Sequence, residues 1–209
     1  MILIFGTSIT YGMWDKEGGW AERIKRLADQ KTIDSKFENE VLVYPLGISG
    51  NNTDRLLKRF EIEVEARKSE EADLQIIIDI GINDSYYFNA EKRNCIPLEN
   101  YKKNLLKIID KSKRYTTDLI FVGLTPVDER VNPVPWEKEI SFTIEAVKKY
   151  DEALKNLCKE NNIPFIEILS KFLETDYKNL LADGLHPNTK GHELIYDEVI
   201  TFLKEKNYI

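Results

Sequence analysis

Short apolar runs alternate along the chain with longer segments in which apolar residues recur every three to four positions. The runs have the length of strands, and three of them are followed directly by a glycine, a common boundary of strands. They predict five strands, at Met1–Phe5, Val41–Leu46, Asp73–Ile80, Leu119–Leu124 and Pro164–Ile168.

The intervening segments carry apolar stripes at helical spacing. Thr53 precedes the second stripe and is its predicted N-cap. The stripes consist of Trp20, Ile24, Leu27 and Ala28; Leu56, Leu57, Phe60 and Val64; Tyr101, Leu105, Ile108 and Ile109; Ile144, Val147, Tyr150, Leu154, Leu157 and Cys158; and Ile195, Val199, Phe202 and Leu203. Strands that alternate with helices predict a five-stranded parallel sheet covered on both faces, a three-layer α/β/α sandwich.

Three glycine-containing loops each follow a predicted strand: Gly6–Gly12, Gly47–Thr53 and Gly81–Ser85. In parallel α/β sheets, ligands bind outside the carboxyl ends of the strands, so these loops are expected to gather along one edge. A longer connection, residues 125–139, leaves the same edge. It is either a binding loop or lid, or a rigid surface connection.

Composition fits one globular domain over residues 1–209, with 42% hydrophobic and 32% charged residues. The net charge of −6 is dispersed, which argues against a nucleic-acid surface. No apolar segment indicates membrane insertion, and Met1–Phe5 lacks the basic region of a targeting peptide. Cys95 and Cys158 have no metal-ligand spacing and suit a reducing compartment, although a disulfide stays open. We therefore expect a cytoplasmic protein, whose oligomeric state the sequence does not indicate.

Ser8 is a candidate nucleophile because it follows the first strand directly, where a helix is expected to begin. There its hydroxyl would lie at the sheet edge, near backbone N–H groups. A serine in such a turn also commonly serves as a helix cap, so its position alone leaves both roles open.

A serine nucleophile needs a base, and the chain has two histidines, His186 and His192. Asp183 precedes His186 by three residues in a loop that contains Gly184, so the carboxylate and the ring can meet locally. Glu193 is adjacent to His192 on a predicted helix, where neighbouring side chains point apart. We therefore predict His186 as the base and Asp183 as its orienting partner; the alternative is a structural hydrogen bond before a helix.

Acyl transfer also needs donors for the developing oxyanion. Gly50 offers an unobstructed backbone N–H, Asn83 a side-chain amide, and Ser8 its own N–H. Viewed singly, Gly50 and Asn83 are equally ordinary turn residues.

Together these pieces resemble the four landmark blocks of the SGNH (GDSL) hydrolase family, and the resemblance spans nearly the whole chain. The matching segments are Gly6-Thr7-Ser8-Ile9, Ile48-Ser49-Gly50, Gly81-Ile82-Asn83-Asp84 and Asp183-Gly184-Leu185-His186-Pro187. The resemblance implies a flavodoxin-like sandwich and a serine esterase. Its triad would be Ser8, Asp183 and His186, and its oxyanion hole Ser8, Gly50 and Asn83.

Two positions depart from the family pattern. Thr7 stands where the first block usually has an aspartate, which is not a triad member. The asparagine that often opens the second block, near Pro45, is missing.

The expected reaction is hydrolysis of small or short-chain carboxylic esters, acetylated carbohydrates among them, through an acyl-enzyme. It requires no metal and no cofactor, and two histidines without clustered cysteines offer little to a transition metal. A set of residues near the motifs either walls an acyl or sugar pocket or belongs to ordinary packing. This set is Thr7, Tyr11, Trp14, Tyr86 and Trp136.

Two rival functions stay open. The hydroxyl-rich loop after the first strand could hold a phosphate, as in a flavodoxin-like phosphate- or flavin-binding domain. A non-catalytic carbohydrate-binding domain with this fold is the other rival. The Asp183–His186 pair favours catalysis, because a phosphate binder has no need of it.

Overall fold

Strands and helices alternate along the chain in the computed structural model, which describes residues 1–69 and 72–209. The strands are β1 Ile2–Gly6, β2 Val43–Gly47, β3 Gln75–Asp79, β4 Tyr87–Phe88, β5 Arg93–Asn94, β6 Asp118–Val122, β7 Ile140–Ser141 and β8 Phe165–Ile166. The α-helices are α1 Ser8–Tyr11, α2 Gly19–Asp34, α3 Thr53–Glu65, α4 Ile82–Ser85, α5 Leu98–Ser112, α6 Ile144–Glu160, α7 Leu169–Leu173 and α8 Thr189–Glu205. Two 3-10 turns lie at Glu129–Val131 and Tyr177–Leu180.

Five parallel strands form the central sheet, in the order β2-β1-β3-β6-β8. Every residue of β1 and β3 is buried, which explains why these strands read as continuous apolar runs. Helix α2 packs on α8, and α3 packs on α5, which in turn contacts α6. The predicted α/β/α sandwich and its five parallel strands are confirmed, with every strand end within two residues of the expected one.

A second, small antiparallel sheet was not predicted. Strand β4 lies between β5 and β7, and Phe88 pairs with Arg93 on one side and Ile140 on the other. Strands of two residues are too short for an alternating pattern to show in the sequence. This sheet joins the segment after the Asn83 loop to the end of the long connection.

The N-cap of α3 is Asn52, so the prediction of Thr53 was wrong by one residue. The Asn52 side chain accepts a hydrogen bond from the Arg55 N–H at 3.0 Å. Thr53 is the first helical residue, and both its N–H and its hydroxyl donate to the Asp84 carboxylate. These contacts fix the loop after β2 against the loop after β3.

Cys95 and Cys158 are both free thiols, and Cys158 is buried on α6, as predicted. None of the helices in the described ranges combines the length and apolar character needed to cross a bilayer.

Asp79, the last residue of β3, is buried beneath the loop that carries Ser8. Its Oδ2 accepts a hydrogen bond from the Thr10 hydroxyl at 2.7 Å. Burial outweighs this bond and raises the pKa of Asp79 from 3.8 to about 6. The folded protein therefore holds this proton more tightly than the unfolded chain does.

We expect Asp79→Asn to flatten the pH dependence of stability. Because its folded-state pKa is raised, the contribution of Asp79 to stability is full below about pH 4 and is lost as pH rises through about 6. An asparagine accepts the Thr10 bond but does not ionise, so between about pH 4 and 7.5 the unfolding free energy should fall about 2 kcal/mol less than in the wild type. Urea unfolding at both pH values measures this, and parallel curves for the two proteins would contradict it. Burial also raises the pKa values of Asp84 and Asp151. Both residues are present in the wild type and in the variant, so their effect on the pH dependence cancels when the two proteins are compared.

Candidate active site

The three loops predicted to meet do so, at the carboxyl ends of β1, β2 and β3. A cleft of about 500 Å³ opens there. Ser8, Gly50 and Asn83 contribute to its lining, one from each loop, and His186 and Asp183 close it from the chain before α8. The five residues predicted to carry the chemistry thus line one cleft.

Ser8 is the first residue of α1, which begins two residues after the end of β1. Thr7 is the N-cap of this helix, and its hydroxyl oxygen accepts a hydrogen bond from the Ile9 N–H at 3.2 Å. Thr7 thus has a defined structural role at the position where the family usually has aspartate. Ser8 itself is 4% exposed, so its hydroxyl is shielded from bulk water and faces the cleft.

His186 connects Ser8 to Asp183. Its Nε2 lies 2.9 Å from the Ser8 Oγ, and its Nδ1 lies 2.7 Å from the Asp183 Oδ2. A carboxylate only accepts hydrogen bonds, so in the neutral ring Nδ1 carries the proton and Nε2 accepts from the serine hydroxyl. This is the tautomer in which imidazole can take the serine proton.

The other oxygen of Asp183 is held by its own loop. Its Oδ1 accepts from the backbone N–H groups of Leu185 at 3.0 Å and His186 at 2.8 Å. Gly184 makes this turn possible with φ of +86°, and a side chain there would collide with Val131. Burial opposes ionisation of Asp183, but these bonds and the His186 ring outweigh it, and the pKa of Asp183 lies below its usual value.

His192 lies on α8, fully buried and away from Ser8. Its Nε2 is 3.4 Å from the Met13 carbonyl oxygen, and burial lowers its pKa to about 4. The ring is therefore neutral at physiological pH and supports the loop after α1. The preference for His186 over His192 as the partner of Ser8 agrees with this geometry.

Two of the three predicted oxyanion donors, Gly50 and Asn83, line the same cleft as His186. The Asn83 amide donates one hydrogen bond to the Asn51 carbonyl oxygen at 2.9 Å, and its second N–H remains for a ligand. Gly50 adopts φ of +70°, a conformation that strains any side-chain-bearing residue. The bond between Asn83 and Asn51 ties the two donor loops together.

The predicted pocket residues divide into two groups. Trp14, Tyr86 and Trp136 line the cleft. Thr7 is fully buried and Tyr11 is exposed to solvent, and neither residue lines the cleft. Thr7 is buried because its side chain, as the N-cap, turns back on its own helix. Further lining residues that the sequence did not single out include Arg55, Glu137, Glu139 and Phe142.

The long connection supplies one wall of the cleft, through Trp136, Glu137 and Glu139. It is anchored at several points: the Asp128 N–H donates to the Gly184 carbonyl oxygen at 2.8 Å, and the Asn132 side chain bonds both N–H and carbonyl of Phe142. The connection thus lines the cleft from a fixed base.

A family model described as GDSL-like lipase/acylhydrolase matches residues 4–194. A GDSL esterase/lipase of Oryza sativa subsp. japonica is 26% identical over 100% of this chain and 79% of its own length. The isoamyl acetate-hydrolyzing esterase of Saccharomyces cerevisiae is 26% identical over 97% of this chain and 85% of its own.

Solved structures show the same fold. The lipase/acylhydrolase from Enterococcus faecalis has a TM-score of 0.74 at 22% identity, with 98% of this chain and 95% of that one covered. An acetylxylan esterase from Geobacillus stearothermophilus has a TM-score of 0.71 at 24% identity, with 98% and 92% covered.

A serine, a histidine and an aspartate joined by hydrogen bonds at the carboxyl ends of a parallel sheet form the arrangement of a serine hydrolase. The match over residues 4–194 identifies which kind: the chain belongs to the GDSL-like lipase/acylhydrolase family, whose members hydrolyse carboxylic esters. The predicted family and enzyme class are confirmed.

Proposed function

We propose that the protein hydrolyses small esters with short acyl chains through an acyl-enzyme formed on Ser8. One observation carries this proposal: Ser8, His186 and Asp183 are joined by hydrogen bonds of 2.9 and 2.7 Å beside a cleft that also holds Gly50 and Asn83. The whole chain then forms one catalytic domain.

The reaction begins when the Ser8 oxygen attacks the ester carbonyl while His186 Nε2 takes the hydroxyl proton. Asp183 holds the ring in place and stabilises the imidazolium. The oxyanion is bound by the N–H groups of Ser8 and Gly50 and by the Asn83 amide. His186 returns the proton to the departing alcohol, and water then repeats the sequence on the acyl-enzyme and releases the acid.

The substrate class follows from the cleft and the relatives. His186 protonates the alcohol, so the alcohol half lies on its side, where the exposed rings of Trp14 and Trp136 stand 6.4 and 5.6 Å from the imidazole. Flat aromatic faces suit an alcohol with an apolar or sugar surface. Two similar proteins are named for acetate esters, isoamyl acetate and acetylxylan. We infer an acetyl-sized acyl site and a larger alcohol site, with acetylated carbohydrates as candidate substrates.

Hydrolysis of a p-nitrophenyl ester series, from acetate to long acyl chains, tests this proposal. We expect kcat/KM to be highest for acetate, to fall steeply with chain length, and to vanish in Ser8→Ala. Acetylated xylo-oligosaccharides, with acetate release as the readout, test the sugar alcohol. Turnover by Ser8→Ala equal to wild type would refute the acyl-enzyme, and a preference for long chains would refute the short acyl site.

The phosphate- or flavin-binding alternative fits this loop poorly. The Thr7 hydroxyl oxygen accepts from the Ile9 N–H, the Thr10 hydroxyl donates to buried Asp79, and the Ser8 hydroxyl lies against His186. These hydroxyls are engaged within the protein, so a phosphate would have to displace each contact.

We likewise propose a cytoplasmic location, which the two free thiols and acidic charge support.

A further inference from the structure

The indole of Trp14 makes a polar contact with the triad itself. Its Nε1 lies 2.7 Å from the Asp183 Oδ2, the same oxygen that His186 Nδ1 contacts at 2.7 Å. Two backbone N–H groups bind the other oxygen. The carboxylate therefore receives four hydrogen bonds, which fill its four lone-pair sites.

Burial does not explain the placement of Trp14. The residue is 61% exposed, yet its backbone has φ of +67°, a conformation that is an outlier for a bulky side chain. Such strain persists only where the surrounding structure holds it in place, and it is concentrated at functional sites. The only polar atom of this side chain, Nε1, is the one that contacts Asp183.

The segment around Trp14 is firmly held. The adjacent Asp15 has a buried carboxylate that accepts from the N–H groups of Glu17 and Gly19 and from the Arg23 guanidinium at 3.0 Å. The His192 ring also contacts the Met13 carbonyl oxygen. The loop is therefore a fixed support, and it presents the indole N–H to Asp183 across 169 positions of sequence.

We propose that Trp14 is a positioning residue of the triad, which holds Asp183 against His186 through its indole N–H in addition to lining the cleft. This rests on the proposed function, because it assigns Trp14 to the same triad. A donor on Oδ2 disperses the carboxylate charge and fixes the oxygen that orients the imidazole. Without that donor, the carboxylate is freer to rotate and attracts the protonated imidazole more strongly.

Trp14→Phe tests this, because phenylalanine keeps an aromatic ring and the same backbone requirement but has no N–H. Trp136→Phe is the matched control: it also removes an indole from beside His186, but the Trp136 ring packs on the imidazole at a tilt of 43°, whereas the hydrogen bond to Asp183 comes from Trp14. The readout is the rate at which phenylmethylsulfonyl fluoride modifies Ser8, measured across pH. This small reagent reports on the nucleophile without needing the natural substrate.

We expect Trp14→Phe to slow the modification of Ser8 about 5- to 10-fold. The acid limb of the pH–rate profile should move to higher pH by about half a unit. Trp136→Phe should leave the acid limb unchanged. The other ionisable groups around the pair are the same in both variants: His192 on α8, Asp15 and Arg23 beside the loop, and Arg55, Glu137 and Glu139 across the cleft.

A double-mutant cycle separates positioning from packing. In the Asp183→Ala background, Trp14→Phe should have no further effect, because the acceptor is gone. An equal effect of Trp14→Phe in both backgrounds, or an unchanged acid limb in the single variant, would overturn the proposal. Failure of the reagent to modify wild-type Ser8 would instead refute the proposed function, so the two failures are distinguishable.

Discussion

Replacing His186 with alanine is expected to lower kcat about 10⁴- to 10⁶-fold on the best p-nitrophenyl ester. The imidazole is the group within reach of the Ser8 hydroxyl proton, since its Nε2 lies 2.9 Å from the Ser8 Oγ. Ser8→Ala should cause a loss of the same order. The double variant should be no worse than either single one, because the two residues act as one unit.

His192→Gln is the control, because it removes the other histidine, which contacts the Met13 carbonyl and not Ser8. We expect it to retain activity within about 10-fold of wild type if its circular dichroism spectrum is unchanged. If His192→Gln were inactive while folded and His186→Ala remained active, the assignment of the base would be wrong.

Replacing Asn83 with alanine should lower kcat about 10²- to 10³-fold and change KM little. In the proposed mechanism the amide stabilises charge that exists only in the transition state, so its loss should affect turnover more than binding. Asn83→Asp keeps the shape of the side chain but places an acceptor beside the oxyanion, and should be at least as damaging. Steady-state kinetics on p-nitrophenyl acetate measures both constants.

Asn94→Ala is a matched control for this experiment. Asn94 also uses its amide to hold a neighbouring carbonyl, that of Ser85 at 2.7 Å, but it does not line the cleft. It reproduces the loss of an asparagine bond between loops without removing an oxyanion donor. A rise in KM with unchanged kcat in Asn83→Ala would show that Asn83 serves ground-state binding instead.

The central sheet and the meeting of the motif loops were predictable because both depend on regular patterns. Buried parallel strands such as β1 and β3 are apolar at every position, and their carboxyl ends lie on one edge whatever the detailed packing. The local pair of Asp183 and His186 was visible for a similar reason, since the two residues are only three positions apart in sequence.

Features that depend on side-chain direction or distant partners were not predictable. The cap of α3 moved from Thr53 to Asn52 because both residues can cap, and Asp84 from another loop binds Thr53. Tyr11 and Trp14 are close in sequence, yet only Trp14 turns toward the cleft. Its bond to Asp183 joins residues 169 positions apart and has no signature in local spacing.

The Asn132 side chain bonds both backbone groups of Phe142, so residues 133–141 leave and return to one fixed point. The hydrogen bonds between Asn132 and Phe142 hold the two ends of this segment together, whatever residues lie between them. We expect that the exposed stretch inside this segment, residues 135–139, can be lengthened, shortened or exchanged for that of a related enzyme without moving the triad. Replacing this short stretch would therefore change which alcohol the enzyme accepts and leave Ser8, His186 and Asp183 in place.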